Sequence, residues 1–193
     1  MITGSRAIVL VPLVAFFALR ASAQAPPAAG AASAPSPPPA TKLEAFKPAA
    51  GTLVTMAYNE LGSILGVSVD AREFRDVRGN VVRGIVVEVT QSQYREERAF
   101  IDADEIPELL RGIDALLEIK ANPTTYENFE VRYTTQGELQ LTAFGGASGR
   151  VRFAVQAGRV TRAQTFTDED GMRKLRAMFE AASRLFATQP KAN

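Results

Sequence analysis

Histidine, cysteine and tryptophan are all missing from this chain of 193 residues. Without histidine or cysteine there is no Ser-His-Asp or Cys-His catalytic system, and the usual ligand sets for zinc, copper and haem are excluded. Without cysteine no disulfide can stabilise the fold, so stability has to come from an ordinary hydrophobic core, for which 46% apolar residues are sufficient. We therefore expect no cofactor, and a non-catalytic protein is favoured over an enzyme.

Long apolar runs are also scarce, and the most pronounced one lies near the N-terminus. Residues 7–19 are apolar, follow Arg6 and precede Ala21-Ser22-Ala23. These 13 residues are too few to cross a bilayer, whereas small residues after such a run are typical of a signal-peptidase site. We predict a signal peptide over residues 1–23, cleavage near Ala23, and a periplasmic or secreted mature protein without a membrane span.

Neither sign of charge is in excess. Once Arg6 and Arg20 are removed with the leader, 20 basic and 21 acidic residues remain, which is a net charge of −1. A protein with this balance has no general electrostatic attraction for nucleic acid, so we do not expect nucleic acid as a partner.

Composition divides the mature chain into a tether, a domain and a short tail. Residues 24–41 contain six prolines and no charged residue, which is the composition of a disordered linker. The remaining composition predicts a single α+β domain over residues 42–189 and a tail over residues 190–193.

Alternation of apolar and polar residues predicts antiparallel strands in the second half of the domain. The predicted strands cover residues 129–133, 139–143, 151–155 and 160–166, with glycine-containing turns between them. Residues 172–186 then change to a helical period with one apolar face. The predicted order is four strands followed by one amphipathic helix.

The first half repeats this pattern at a shift of 66 residues. The shift maps Phe100, Asp102, Asp104, Leu109 and Ala115 onto Phe166, Asp168, Asp170, Leu175 and Ala181. We therefore predict an α+β fold of antiparallel sheets and two amphipathic helices, with duplicated ββββα units at 43–120 and 126–187. The element order resembles that of the PUR-repeat proteins, which bind single-stranded nucleic acid. No sequence motif of that family is present, so the resemblance concerns element order alone.

Two acidic clusters precede the predicted helices and are the candidates for chemistry. They contain Asp102, Asp104, Glu105 and Glu108 in the first copy and Asp168, Glu169 and Asp170 in the second. Carboxylates can bind calcium or act as an acid/base pair. The first cluster does not match an EF-hand, because Pro107 stands where that loop has glycine and Ile113 where it has glutamate.

Helix capping explains the acids better than metal binding or catalysis does. Asp102 and Thr167 are the predicted N-caps, and Glu105 and Asp170, three residues later, would complete capping boxes. Pro107 fits this prediction because proline is tolerated in the first turn of a helix.

The sequence favours an exported, non-catalytic binding domain that uses the faces or loops of its sheets. Its partner would be an envelope or extracellular protein, a second copy of the chain, or a small ligand. Two alternatives stay open: a carboxylate-dependent hydrolase or calcium-dependent module, and a structural spacer or assembly subunit. If the clusters carry chemistry, it should lie where the copies differ, in Glu105 and Glu108 against Gly171 and Lys174.

Overall fold

A computed structural model describes residues 38–46, 50–145 and 149–189. The predicted signal peptide, most of the predicted linker and the predicted tail lie outside these residues. Within them, the chain forms two four-stranded antiparallel sheets with helices, which confirms the α+β class. A short helix at Lys42–Ala45 comes first, where the predicted first unit begins, and the order after it is four strands and a helix, twice, as the duplication predicts.

Sheet A belongs to the first half and sheet B to the second, and each has its strands in sequence order. Sheet A consists of β1 (Val54–Ile64), β2 (Val67–Asp76), β3 (Val81–Ser92) and β4 (Arg95–Asp102). Sheet B consists of β5 (Phe129–Thr134), β6 (Gln140–Gly145), β7 (Arg152–Ala157) and β8 (Ala163–Thr167). The helices are α1 (Lys42–Ala45), α2 (Ile106–Leu117) and α3 (Glu169–Ala187).

Each long helix packs against strands of the other half. Helix α2 lies against β5 and β6, whereas α3 lies against β1, β2 and β3 as well as β7 and β8. The apolar faces of both sheets and both helices therefore meet in one core, which includes Val69, Ile101, Ile113, Leu141 and Phe179. Each repeat therefore contributes a helix that packs on the sheet of the other repeat, and we call this the exchange of helices.

An ion pair joins α2 and α3 beside this core. The Arg176 guanidinium donates to both carboxylate oxygens of Asp114, at 2.5 and 2.9 Å. This two-point contact lowers the pKa of Asp114 below its ordinary value. Because Asp114 is in the first repeat and Arg176 in the second, the pair also links the two halves.

The pairing of the strands shows that the shift of 66 residues does not hold throughout the two sheets. Val86 pairs with Phe100 in sheet A, so the shift predicts that Arg152 pairs with Phe166. The residue that pairs with Phe166 is Ala154, two positions further on. A slip of two residues leaves every side chain on its original face, so the alternating pattern does not reveal it.

The bounds of the last strand and helix also differ from the prediction. Strand β8 begins at Ala163, three residues later than predicted, because residues 160–162 form the connection from β7 and Val160 is exposed. Helix α3 begins at Glu169, ahead of the first apolar residue of its periodic pattern at Met172.

Candidate functional site

Three acids of the first cluster have separate partners, and the fourth, Glu108, is exposed on α2. The Asp102 carboxylate accepts hydrogen bonds from the first two backbone N–H groups of α1, at 2.8 and 3.0 Å. Asp104 pairs with the Lys42 ammonium at 2.5 Å. Glu105 accepts a hydrogen bond from the backbone N–H of Gln136 at 2.8 Å. Within the described ranges, no group of three or more acids is placed to hold a metal ion.

The predicted N-cap of α2 is wrong, because Asp102 caps a different helix. Helix α2 has Glu105 at its N-cap without a side-chain cap, and Pro107 stands in its first turn as predicted. Asp102 is the last residue of β4 and reaches the unpaired N–H groups of α1. Thr41, predicted as the end of the disordered linker, is buried and accepts a hydrogen bond from the Glu44 N–H at 3.0 Å.

The predicted N-cap of α3 is wrong by one residue. Asp168 is the cap, and its carboxylate accepts a hydrogen bond from the Gly171 N–H at 2.9 Å. Thr167, the predicted cap, ends β8, and its buried hydroxyl has no partner among the described residues. The proposed capping box of Thr167 with Asp170 is therefore not formed, whereas Glu169 forms ion pairs with two basic side chains.

Glu105 is a half-buried acid at the contact between the two repeats. Its Oε2 atom is buried without a hydrogen-bond partner in the part of the chain that the structure describes. Burial raises the pKa of Glu105, the hydrogen bond from Gln136 opposes this shift, and nearby Asp102, Asp104 and Glu108 raise the pKa further. Through its hydrogen bond with Gln136, Glu105 links the start of α2 to the turn between β5 and β6.

We expect the stability of the Glu105→Gln variant, relative to that of the wild type, to increase as pH rises. A carboxyl whose pKa is raised by folding binds its proton more tightly in the folded state, so wild-type stability should fall as pH rises above the ordinary value of 4.5. Glutamine keeps an acceptor for the Gln136 N–H and does not titrate. Melting temperatures measured by circular dichroism from about pH 4 to about pH 7 check this.

The control is Gln136→Ala, which keeps the backbone N–H and removes no titrating group. Its melting temperature should differ from that of the wild type by a constant amount over the same pH range. A constant difference for Glu105→Gln as well would contradict the raised pKa.

The outer face of sheet B carries a row of glutamines that the sequence analysis did not single out. Gln140, Gln156 and Gln164 lie side by side on β6, β7 and β8. The next row contains Arg132, Thr142, Ala154 and Phe166, and the third contains Glu130, Phe144 and Arg152. We call this surface the glutamine trough, lined by Glu130, Arg132, Gln140, Thr142, Phe144, Ala154, Gln156, Gln164 and Phe166.

The trough is concave because its shortest side chains lie at the centre. Thr142 and Ala154 point outward, yet the longer side chains around them leave them only 6% and 2% exposed. The rings of Phe144 and Phe166 meet edge to face, with centroids 5.9 Å apart, and Phe166 remains 53% exposed. The volume of the open trough is about 330 Å³.

The trough is close to neutral and rich in amides. Of the side chains that line it, Glu130 and Arg132 are charged and form an ion pair with each other, while Arg152 stands at its border beside Phe144. The Gln140 amide donates to the Thr142 hydroxyl at 3.3 Å. The side-chain amides of Gln156 and Gln164 make no hydrogen bond within the described ranges, so their donors and acceptors are directed to solvent or to a ligand.

The corresponding face of sheet A is covered by the chain itself. Leu43 of α1 packs over Gly84, where an added Cβ would lie 3.1 Å from the Leu43 Cδ2 atom. Phe46 stacks on Phe74 with ring centroids 5.4 Å apart. Residues 41–46 therefore occupy on sheet A the position that is open on sheet B.

Two larger cavities lie beside this covered face, with volumes of about 520 and 580 Å³. Their charged side chains are largely paired with one another, as in the Glu44–Arg159 contact at 3.4 Å and the Lys42–Asp104 pair at 2.5 Å. A ligand would have to break these pairs, so the trough is the better candidate site despite its smaller volume.

No protein-family profile matches this chain, and neither a curated protein nor a solved structure matches it significantly. None of the helices in the described ranges has the length and apolar character needed to cross a bilayer.

Proposed function

We propose that this protein is a non-catalytic binding domain of the cell envelope or extracellular space, and that it holds a neutral, hydroxyl-rich glycan chain in the glutamine trough. The observation that carries this proposal is the row of Gln140, Gln156 and Gln164 beside the rings of Phe144 and Phe166 on an open sheet face.

The amides and rings of the trough match the two kinds of group that a sugar presents. Each glutamine amide has two N–H donors and a carbonyl acceptor, and sugar hydroxyls both donate and accept hydrogen bonds. The negative face of a phenyl ring attracts the weakly positive C–H groups of a sugar ring. Neighbouring strands are about 4.8 Å apart, so three glutamines span about 10 Å, which suits a chain rather than one small group.

The charges of the trough favour a neutral ligand and binding without turnover. Glu130 and Arg132 neutralise each other, so a charged ligand would gain little from either. Glycoside hydrolysis needs two carboxyl groups across the scissile bond, and the trough contains one, Glu130. Five of the seven acids in the two clusters bind backbone N–H groups or basic side chains elsewhere in the fold: Asp102, Asp104, Glu105, Asp168 and Glu169.

The proposed location depends on the predicted signal peptide. Export with cleavage near Ala23 would place the mature protein, beginning at Gln24, where extracellular or envelope glycans are found. N-terminal sequencing of the protein from its native source tests this, and a mature protein that retains Met1 would contradict it.

We expect Phe166→Ala to weaken glycan binding by about fivefold to tenfold, because the lost ring contact is worth about 1 kcal/mol. Gln156→Ala should weaken binding as well, since it removes the middle amide of the row. The measurement is retention of the purified protein on peptidoglycan sacculi, chitin and cellulose, followed by a titration with the polymer that retains it.

Lys174→Ala, an exposed change on α3, is the matched control and should bind like the wild type. Melting temperatures of the three variants establish that each is folded. The proposal is wrong if none of the three polymers retains the wild type, or if folded Phe166→Ala and Gln156→Ala bind as tightly as the control.

A further inference from the structure

The edge strands of the two sheets differ in how they are protected from pairing with another chain. The edges are β1 and β4 in sheet A and β5 and β8 in sheet B. Edge strands expose unpaired N–H and C=O groups, and proteins protect them with charge, short length or cover. Strand β4 has charged residues at 95–98, β5 carries Glu130 and Arg132, and β8 has only five residues.

The N-terminal half of β1 has none of these protections. The strand is 11 residues long, and residues 54–59 contain neither a charged residue nor proline. Residues 55–60 are all exposed, including Met56 at 57% and Tyr58 at 68%. The end of α3 lies over β1 and β2, where Leu185 and Phe186 line a cavity with Ala57 and with residues of β2, so α3 covers a face of this strand and leaves its free edge open.

We propose that this half of β1 pairs antiparallel with the same segment of a second copy, joining two copies of sheet A across a two-fold axis at Ala57. When two copies of the strand run antiparallel about this residue, the side chains that face each other are of matching character. Met56 lies opposite Tyr58 of the partner subunit on the outer face, and Thr55 lies opposite Asn59 of the partner subunit. A two-fold axis repeats each pair, so two apolar pairs are formed.

Other centres of symmetry fit the strand less well. An axis at Tyr58 would place Met56 opposite Glu60 and carry the pairing into the irregularity of β1. An axis at Met56 would pair only residues 54–58, because the strand begins at Val54. The axis at Ala57 pairs all of residues 54–60 and places the shortest side chain of the segment where the two strands meet, with Glu60 opposite Val54 only at the two ends of the pairing.

Ala57→Lys and Ala57→Glu test this pairing, because each places two like charges opposite each other at the axis. We expect the wild type to form a dimer in light scattering and sedimentation, and each variant to raise the dimer dissociation constant at least about tenfold. An equimolar mixture of the two variants should recover a dimer, since lysine then faces glutamate.

Thr134→Lys on the β5 edge is the matched control and should remain dimeric. Circular dichroism establishes that every variant is folded. The proposal is overturned if the wild type is a monomer at all concentrations, if Ala57→Lys and Ala57→Glu dimerise like the wild type, or if their mixture stays monomeric.

Discussion

Phe179→Ala should lower the free energy of unfolding by about 3 to 5 kcal/mol, the usual cost of emptying a buried phenylalanine site. Phe179 is fully buried on α3 and belongs to the core that both sheets share. A loss of this size is a large part of the stability of an ordinary domain. Thermal unfolding should show a melting temperature lower by roughly 10 to 15 °C.

The same variant tests whether the two repeats share one core. Hydrogen exchange measured peptide by peptide should show faster exchange in the strands of sheet A and sheet B together, because α3 packs against both. Lys174→Ala, exposed on the same helix, should change stability by less than about 0.5 kcal/mol. If exchange accelerates in one sheet and stays at the wild-type rate in the other, the repeats are independently stable.

The second large effect is expected at Gly137, where the second repeat meets the first. A Cβ atom at this position would lie 1.8 Å from the Phe100 carbonyl oxygen and 2.8 Å from its carbonyl carbon. Both are backbone atoms of β4, so the strand has to move if the turn is to stay in place. We expect Gly137→Ala to cost about 2 to 3 kcal/mol, the range for overpacking a tight contact.

Denaturant unfolding of Gly137→Ala and of Gln136→Ala checks this expectation. Gln136 is exposed, and alanine keeps the backbone N–H that Glu105 accepts at 2.8 Å, so this neighbouring change should be nearly neutral. Equal stability of the two variants would mean that Gly137 does not pack against the backbone of Phe100 as closely as the structure describes.

The class of fold and the repeated order of elements could be predicted because both depend on local periodicity. Apolar side chains recur every two residues in a strand and about every 3.6 residues in a helix, and each pattern lies within a short stretch of sequence. The caps were harder to predict, since Asp102 ends β4, Asp168 directly follows β8, and a helix comes after each of them. Only the position of the first helical turn decides which N–H groups such an acid can reach.

The glutamine trough could not be predicted from the sequence in the same way. Gln140, Gln156 and Gln164 each stand alone at an outward position, and they become one row only through the register of three strands. Whether the face is open depends on the segment at residues 41–46, which covers sheet A and not sheet B. A contact between segments so far apart along the chain has no local pattern to reveal it.

The exchange of helices between the repeats also sets the order in which the chain can finish folding during synthesis. When the first repeat has left the ribosome, sheet A has no helix over most of its apolar face, because α2 packs against strands that are not yet made. The core closes only when α3, the last element, has been synthesised. Contacts so distant in sequence form slowly. If the predicted signal peptide directs export, such a delay keeps the chain unfolded while it crosses the membrane.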